Sequence, residues 1–550
     1  MVERRIGLLF ASFVLLFAVA VARTVWVQGV EAGRLSADAQ SQHTESVPIP
    51  GTRGRILDRK GKELAVSEDA ADVIATPYQV KDPAETARRL APLLHVSESE
   101  ILRALADRSS GFAYLARQVD LPTALRVRQL AIAGISTVPS SRRIYPEGKL
   151  AAQVIGTVGI DNQGLTGLEA GDDDVLAGAN GERTVVLDGL GKEIERDTVS
   201  GAQQGADLRL TIDAGIQART EEILAGVAAT YQPKQATAIV MNPRNSQILA
   251  MADWPTLDPS DPGAADPEQL QNMATGFTYE PGSTFKAFTV AGALQDQLVT
   301  PDTVFDLPTE LQVADRTISD AEDRGPISLT VAQILAQSSN VGAVKIGLEL
   351  GAERFYHWVR SFGFGEPTGV QFPGEEQGIV PTPSEFSGST MANLPIGQGL
   401  SVTPIQMAAA YSAIANGGVL RPPQLVLDQG GEPVPEPPGQ RVIGKQTAAQ
   451  LREMLKGVLA PGGTASEVSV PGYTLAGKTG TAQVAVDGGY SETQFVASFV
   501  GFAPADNPRL LAAVVVDEPS QGSYYGGTVA APAFGEIAKF ALPYLKIPAN

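Results

Sequence analysis

The chain has 550 residues, 43% of them hydrophobic, enough for a large core and more than one domain. Its 42 basic and 61 acidic residues leave a net charge of -19 and a pI near 4.7, which argues against a general polyanion binder and against nucleic acid as a partner. With no cysteine there is no disulfide, thiolate nucleophile or Cys-ligated zinc; His43, His95 and His357 each stand alone and no Gly-x-Ser-x-Gly occurs, so a Ser-His-Asp triad is set aside.

Arg4-Arg5 precede an unbroken apolar run from Ile6 to Ala22, with Arg23 after it and Trp26 just beyond. Lengthened by Thr24 to Val27, the run can span a bilayer, and the basic pair in front of it predicts a cytoplasmic start with the bulk of the chain outside. A cleaved signal peptide is the alternative, since Ala18-Val19-Ala20 and Ala20-Val21-Ala22 both resemble cleavage sites. The run exceeds the usual length of a signal core, which favours an uncleaved anchor over 1–27.

Residues 28–50 are polar, contain Pro48 and Pro50, and read as a stalk. A first domain is expected over 51–204. It opens on Arg53-Gly54-Arg55-Ile56-Leu57-Asp58-Arg59, a strand and turn that lead through Gly61 into a second strand. Residues 82–135 carry helix starts at Asp82-Pro83 and Ser97-x-Ser99-Glu100 and read as an exposed helical insertion. Strand-and-turn character returns at Arg142 to Gly148 and over 151–169, and no catalytic cluster shows in this half.

A second domain is expected over 205–550. Ala206 to Asp213 is strand-like, Ile216 to Ala228 helical, and Ala236 to Asn242 and Ser246 to Ala252 form two apolar strands joined at Pro243-Arg244. Glu280-Pro281-Gly282-Ser283-Thr284-Phe285-Lys286 follows as a turn entering an apolar helix. Ser283 and Lys286 stand at i and i+3 on one face, so an amine reaches a hydroxyl that needs a base to become a nucleophile. A helix-capping serine with a solvated lysine is the bland alternative. Beyond it the pattern is mostly helical, over 329–337, 341–350, 404–416 and 445–459. Gln337-Ser338-Ser339-Asn340 makes a polar break between two of these helices, where Ser338 can relay a proton and Asn340 can hold a carbonyl or a lysine; capping by Ser and Asn is the alternative.

Strands return over 474–486, 494–502 and 509–517, and 529–545 is a final helix. Gly472 to Thr479 spells the Walker pattern Gly-x4-Gly-Lys-Thr, but a phosphate loop must hand over to a helix, and Gly480, Thr481 and Val484 continue as strand. Read as an edge strand, the segment offers main-chain hydrogen bonds to an extended peptide, and Lys478 with the hydroxyls of Thr479 and Thr481 suits a terminal carboxylate. The whole is an α+β chain with Ser283 at the junction of sheet and helices.

Ser283-x-x-Lys286, Ser338-x-Asn340 and Lys478-Thr479-Gly480-Thr481, in this order, resemble the penicillin-binding proteins and serine β-lactamases. The resemblance runs nearly the whole length. It includes Arg53 to Arg59 and Tyr145-Pro146-Glu147-Gly148 in the family's non-catalytic, dimerisation-type pedestal, and Gly397 to Gln406 in its catalytic domain, and so points to a class B penicillin-binding protein. Ser338-Ser339-Asn340 and Tyr524-Tyr525-Gly526-Gly527 are similar to the septal, division-specific branch.

The resemblance implies a sheet with an all-helical subdomain on a strand-rich pedestal with one transmembrane helix in the inner membrane. It implies a Ser283 acyl-enzyme formed from a D-Ala-D-Ala stem peptide with Lys286 as base, and a leaving D-alanine protonated through Ser338 and Lys478. The oxyanion is held by the N–H groups of Ser283 and Thr481, and the ester is passed to an acceptor amine, with Asn340, Thr479 and Gly480 completing the site. It further implies inactivation by β-lactams, no metal or cofactor, and division-complex partners including a lipid-linked glycosyltransferase. An elongation-type transpeptidase, a D,D-carboxypeptidase, a β-lactam sensor and a division scaffold are the alternatives. For Lys286 to serve as base its pKa must fall by roughly three units, which partial burial by Phe285 and Phe288 and the charge of Lys478 are expected to supply.

Overall fold

Five strands in the C-terminal half are buried along most of their length, because both faces of their sheet are covered. They are β1 (Gln235–Asn242), β2 (Gln247–Trp254), β3 (Ala476–Val486), β4 (Gly489–Ala503) and β5 (Leu510–Asp517). All pairs are antiparallel and the order is β2-β1-β5-β4-β3, which leaves β3 at an edge. The computed structural model describes residues 2–31, 33–34, 44–49, 51–187, 193–486 and 489–549. On one face of the sheet the helices Ala214–Tyr231 and Ala531–Tyr544 bury Ile216, Leu224, Ile537 and Leu542 against Val514 and Val516.

The other face carries the helical section. Its helices α1 (Lys286–Gln295), α2 (Val331–Ala336), α3 (Asn340–Leu350) and α4 (Pro404–Ala415) share one core with the sheet. Their starts follow from side-chain caps: Thr330 with Gln333 before α2, Ser339 on the Gly342 N–H at α3, and Thr403 with Gln406 before α4. This section is not purely helical as expected. Val304–Leu307 pairs with Ile327–Thr330, and Glu310–Val313 pairs with Arg316–Ser319. These four-residue strands are half exposed and interleave charged residues, so they carry too little apolar pattern to be seen in the sequence.

In the N-terminal half Ile56–Leu57 and Glu63–Ala75 form the expected strand-turn-strand, closed by Asp58, whose Oδ1 accepts the Lys60 and Lys62 N–H groups. Residues 82–135 differ from the helical expectation. The helices Pro83–Leu94, Glu98–Ala104 and Leu121–Gln129 form, but Ala113–Asp120 is a strand paired to Glu63–Ala75. Leu115 on that strand, with Val73, Leu90, Ile101 and Val127, builds a separate small core, so the segment is packed rather than merely attached. Thr44–Ile49, inside the expected stalk, is a strand paired to Gly181–Leu187; residues 32, 35–43 and 50 of that stalk lie outside the described residues.

The two halves are joined by main-chain bonds: Leu208–Leu210 pairs in parallel with Ile56–Leu57, and the Asp58 carboxylate also accepts the Ala214 N–H. At the N-terminus the helix Val2–Val25 continues to Val30. Arg4–Val30 has a mean hydropathy of 2.3 over its most apolar window and no buried surface there, which makes it the one helix among the described residues long and apolar enough to cross a membrane.

Candidate active site

Ser283 lies in a 3-10 turn, Gly282–Phe285, and Lys286 is the first residue of α1, so the helix begins three residues later than expected. The turn is pinned from several sides. Gly282, at φ 53°, donates its N–H to Gly397 O at 3.0 Å; Thr284 Oγ1 donates to Pro281 O at 2.7 Å; and Tyr411 from α4 donates its hydroxyl to Thr284 O at 2.6 Å. Ser283 remains half-buried, whereas Lys286 is wholly enclosed.

Lys286 Nζ donates to Ser338 O at 2.5 Å, Asn340 Oδ1 at 2.6 Å and Ser338 Oγ at 3.2 Å. Lys478, on edge strand β3 and equally enclosed, donates to the same Ser338 Oγ at 2.9 Å and to Thr479 O at 3.1 Å. One hydroxyl therefore stands between two amines. Ser338 reaches this place in a left-handed conformation, φ 61°, that few residues other than glycine adopt.

The edge strand and the serine turn touch because Gly480 has no side chain. A Cβ there would lie 2.9 Å from Thr284 Cγ2 and 3.0 Å from Pro281 O. A Cβ on Gly282 would likewise meet Ala482 Cβ at 3.1 Å, which places Ser283 beside Thr481. Thr479 Oγ1 is 2.7 Å from Thr464 Oγ1, and Thr481 Oγ1 accepts the Gly526 N–H at 2.9 Å, leaving its own proton for another acceptor. The segment that spells a Walker pattern runs into a strand, not a helix, so it builds no phosphate loop.

Burial pushes the Lys286 amine down to about 7, opposed by the carboxylate of Asp320. Burial, reinforced by the charge of Lys286, drives Lys478 well below the ordinary lysine value. The direction matches the expectation for Lys286. The enclosure is complete rather than partial, and the like-charge repulsion lowers Lys478 rather than Lys286, on which it was expected.

Residues 236–539 match the family model for the penicillin binding protein transpeptidase domain, and residues 48–210 the model for the penicillin-binding protein dimerisation domain. The chain belongs to the class B penicillin-binding proteins. By that membership it is a D,D-transpeptidase. It is 37% identical to stage V sporulation protein D of Bacillus subtilis, over 97% of this chain and 85% of the relative, and 34% identical to the probable peptidoglycan D,D-transpeptidase PenA of Neisseria gonorrhoeae, over 99% and 93%. Among solved structures it is similar to penicillin binding protein 3 of Mycobacterium tuberculosis complexed with aztreonam, with a TM-score of 0.71, 31% identity and coverage of 92% and 98%.

In this transpeptidase the structure brings Lys286, Ser338, Asn340 and Lys478 into one hydrogen-bonded cluster, with Ser283 one turn before Lys286 and Thr479, Gly480 and Thr481 along the adjoining edge. Sequence reasoning missed Asp320, Ser319, Tyr411, Thr464 and the link from Gly526. None sits in a recognisable motif with its partner; Asp320 meets Ser339 and Val341 across a hairpin and a helix. Glu280, three residues before Ser283, is drawn into the site's flank. Its carboxyl accepts from the Gly399 N–H at 3.0 Å and the Tyr490 hydroxyl at 3.2 Å, and burial pushes its pKa up.

Proposed function

We propose that this enzyme cross-links peptidoglycan stem peptides through an ester on Ser283, and that it works in septal wall synthesis. The single observation that carries the chemistry is the pair of enclosed amines sharing Ser338 Oγ, because burial draws both below the ordinary lysine range, Lys286 to about 7, where an amine exchanges protons at neutral pH. Lys286 takes the Ser283 proton as Oγ attacks the carbonyl between the two terminal D-alanines. The N–H groups of Ser283 and Thr481 face the oxyanion, each donor contributing roughly 3 kcal/mol in comparable sites. Collapse breaks the peptide bond, and the proton that Lys286 took is relayed by way of Ser338 and Lys478 to the departing D-alanine. An acceptor amine then attacks the ester, its proton passing by way of Lys286 to Ser283 Oγ as the C–O bond breaks, which restores Ser283 and forms the cross-link. The edge of β3 aligns the donor as an added strand, with Thr479 and Thr481 at its terminal carboxylate. A β-lactam enters as a donor mimic and stays as the ester.

The septal assignment is supported by Ser338-Ser339-Asn340, by Tyr524 to Gly527, and by relatives that include the peptidoglycan D,D-transpeptidase FtsI of Escherichia coli, 32% identical over 97% of this chain. Division-complex partners, including a lipid-linked glycosyltransferase, are part of the same reading. So are the domain limits 1–27, 28–50, 51–204 and 205–550, and an uncleaved anchor with the catalytic half outside the inner membrane.

The detergent-solubilised chain labelled with a fluorescent penicillin, then offered D-Ala-D-Ala peptides with and without an acceptor amine, tests the chemistry. Cross-linked dimer is expected with the amine, and release of D-alanine to water alone would make it a carboxypeptidase. Depletion in cells is expected to give filaments, and swelling into spheres would sink the septal role.

A further inference from the structure

We propose that Asp320 is a positioning residue for acylation, clamping the Ser338–Asn340 turn against Lys286 and setting one fixed negative charge behind that amine. The inference rests on the reading of Ser283 as nucleophile and Lys286 as base. Asp320 follows the strand Arg316–Ser319, and its side chain is only 10% exposed. Its Oδ1 accepts the Val341 N–H at 3.0 Å, both of its oxygens lie 3.0 Å from Ser339 Oγ, and Oδ2 accepts from Arg324 Nε at 2.5 Å. The neighbouring Ser319 O accepts from Asn340 Nδ2 at 2.9 Å.

Two consecutive residues at the end of one hairpin thus hold Ser339, Asn340 and Val341, and through them the backbone that follows Ser338. The hold matters in two ways. Ser338 sits in a left-handed conformation at φ 61°, which a free turn would relax, withdrawing Ser338 Oγ from both amines. The Asn340 amide could point either way; with Nδ2 spent on Ser319 O, its Oδ1 is the atom presented to Lys286.

The charges around Lys286 complete the argument. Lys478 faces it from β3, Asp320 from the hairpin, and Arg324 is bound to Asp320, while Ser338 and Asn340 supply neutral oxygens. Asp320 is the charge that opposes the burial of Lys286, so it keeps that amine near neutrality instead of far below, where it would be too weak a base to accept a serine proton efficiently. Arg324 partly cancels Asp320, and the two together act as an adjustable charge one layer behind the chemistry.

The test is the rate of fluorescent-penicillin labelling of the full-length chain in detergent from pH 5.5 to 9. Wild type should show an acid limb. Asp320→Asn keeps an acceptor for Val341 and drops the charge, so the limb is expected to move down by about one pH unit, with a severalfold lower plateau. Arg324→Gln, which unmasks Asp320, is expected to move the limb up, and this opposite sign is one a merely structural cap would not produce. Variants that melt like wild type and leave the limb unmoved overturn the proposal. A wild type with no limb removes Lys286 as base and this inference with it; that failure shows in the wild type alone, and so is told apart from failure of Asp320.

Discussion

Among the described residues, a cluster of enclosed charge in the N-terminal half and another in the catalytic half are built on opposite plans. In the N-terminal half Arg53, 1% exposed, pairs with Glu169 at 2.8 Å and Asp173 at 2.6 Å, while Arg143 Nε donates to the second oxygen of Glu169 at 2.7 Å. Each guanidinium also finds a main-chain acceptor, Asn162 O and Gly54 O. In the catalytic half two lysines share one serine and are held by neutral oxygens. The first cluster neutralises its charges by contact and fixes the chain. The second leaves like charges together with Asp320 alone to oppose them, so the strain is relieved chiefly by giving up a proton, which is the property the proposed base requires.

Breaking each cluster should therefore have different consequences. The largest effect is expected for Ser283→Ala, which should slow penicillin labelling by at least about 10⁴-fold while melting within a few degrees of wild type, since the half-buried Ser283 hydroxyl caps no helix. Persistent labelling of the variant would transfer the nucleophile elsewhere. Next comes Lys286→Arg, where a guanidinium cannot accept the proton; acylation is expected to fall by about 10³-fold, and the limb that wild type shows as pH rises through about 7 should disappear. A variant that acylates at wild-type speed would reduce Lys286 to a positioning role.

The N-terminal cluster should respond in stability rather than rate. Glu169→Ala leaves two guanidinium groups enclosed without their shared partner and is expected to cost about 3–5 kcal/mol, read as a large drop in melting temperature. Surviving protein should still label with penicillin; a labelling defect without destabilisation would join the two clusters functionally. The last effect is a slope, smallest when read over any single pH unit. The folded-state pKa of Lys286 lies below its unfolded value, so the unfolded chain binds more protons between about 7 and 10 and stability rises with pH there, by up to about 1.4 kcal/mol per unit. Wild type measured against Lys286→Met is expected to gain stability across that window, and parallel curves would mean that Lys286 is not held neutral.

The legible parts of this chain were those in which chemistry and local geometry coincide in sequence. Ser283 and Lys286 are one turn apart, Ser338 and Asn340 bracket a helix start, and Lys478 to Thr481 lie along one strand. The long apolar strands of the central sheet were legible for the same reason. What stayed hidden depends on encounters between distant segments. Ala113–Asp120 is a strand because Glu63–Ala75 lies beside it, and Asp320 matters because a short, half-exposed hairpin folds it under the start of α3. Nor could spelling show that Gly480 is required by the approach of Pro281 and Thr284 from almost two hundred residues away.

The unpaired side of β3 has one more implication. A strand edge offers N–H and C=O groups at a fixed repeat, and a peptide laid along it turns its side chains alternately up and down, away from those groups. What such an edge registers is direction, extension and handedness rather than composition. Stem peptides that differ in their upstream side chains should thus be accepted almost alike, whereas inverting a single stereocentre at the end near Thr479 and Thr481 would throw the carbonyl out of reach of Ser283. On the proposed alignment, tolerance and strictness come from the same few backbone atoms.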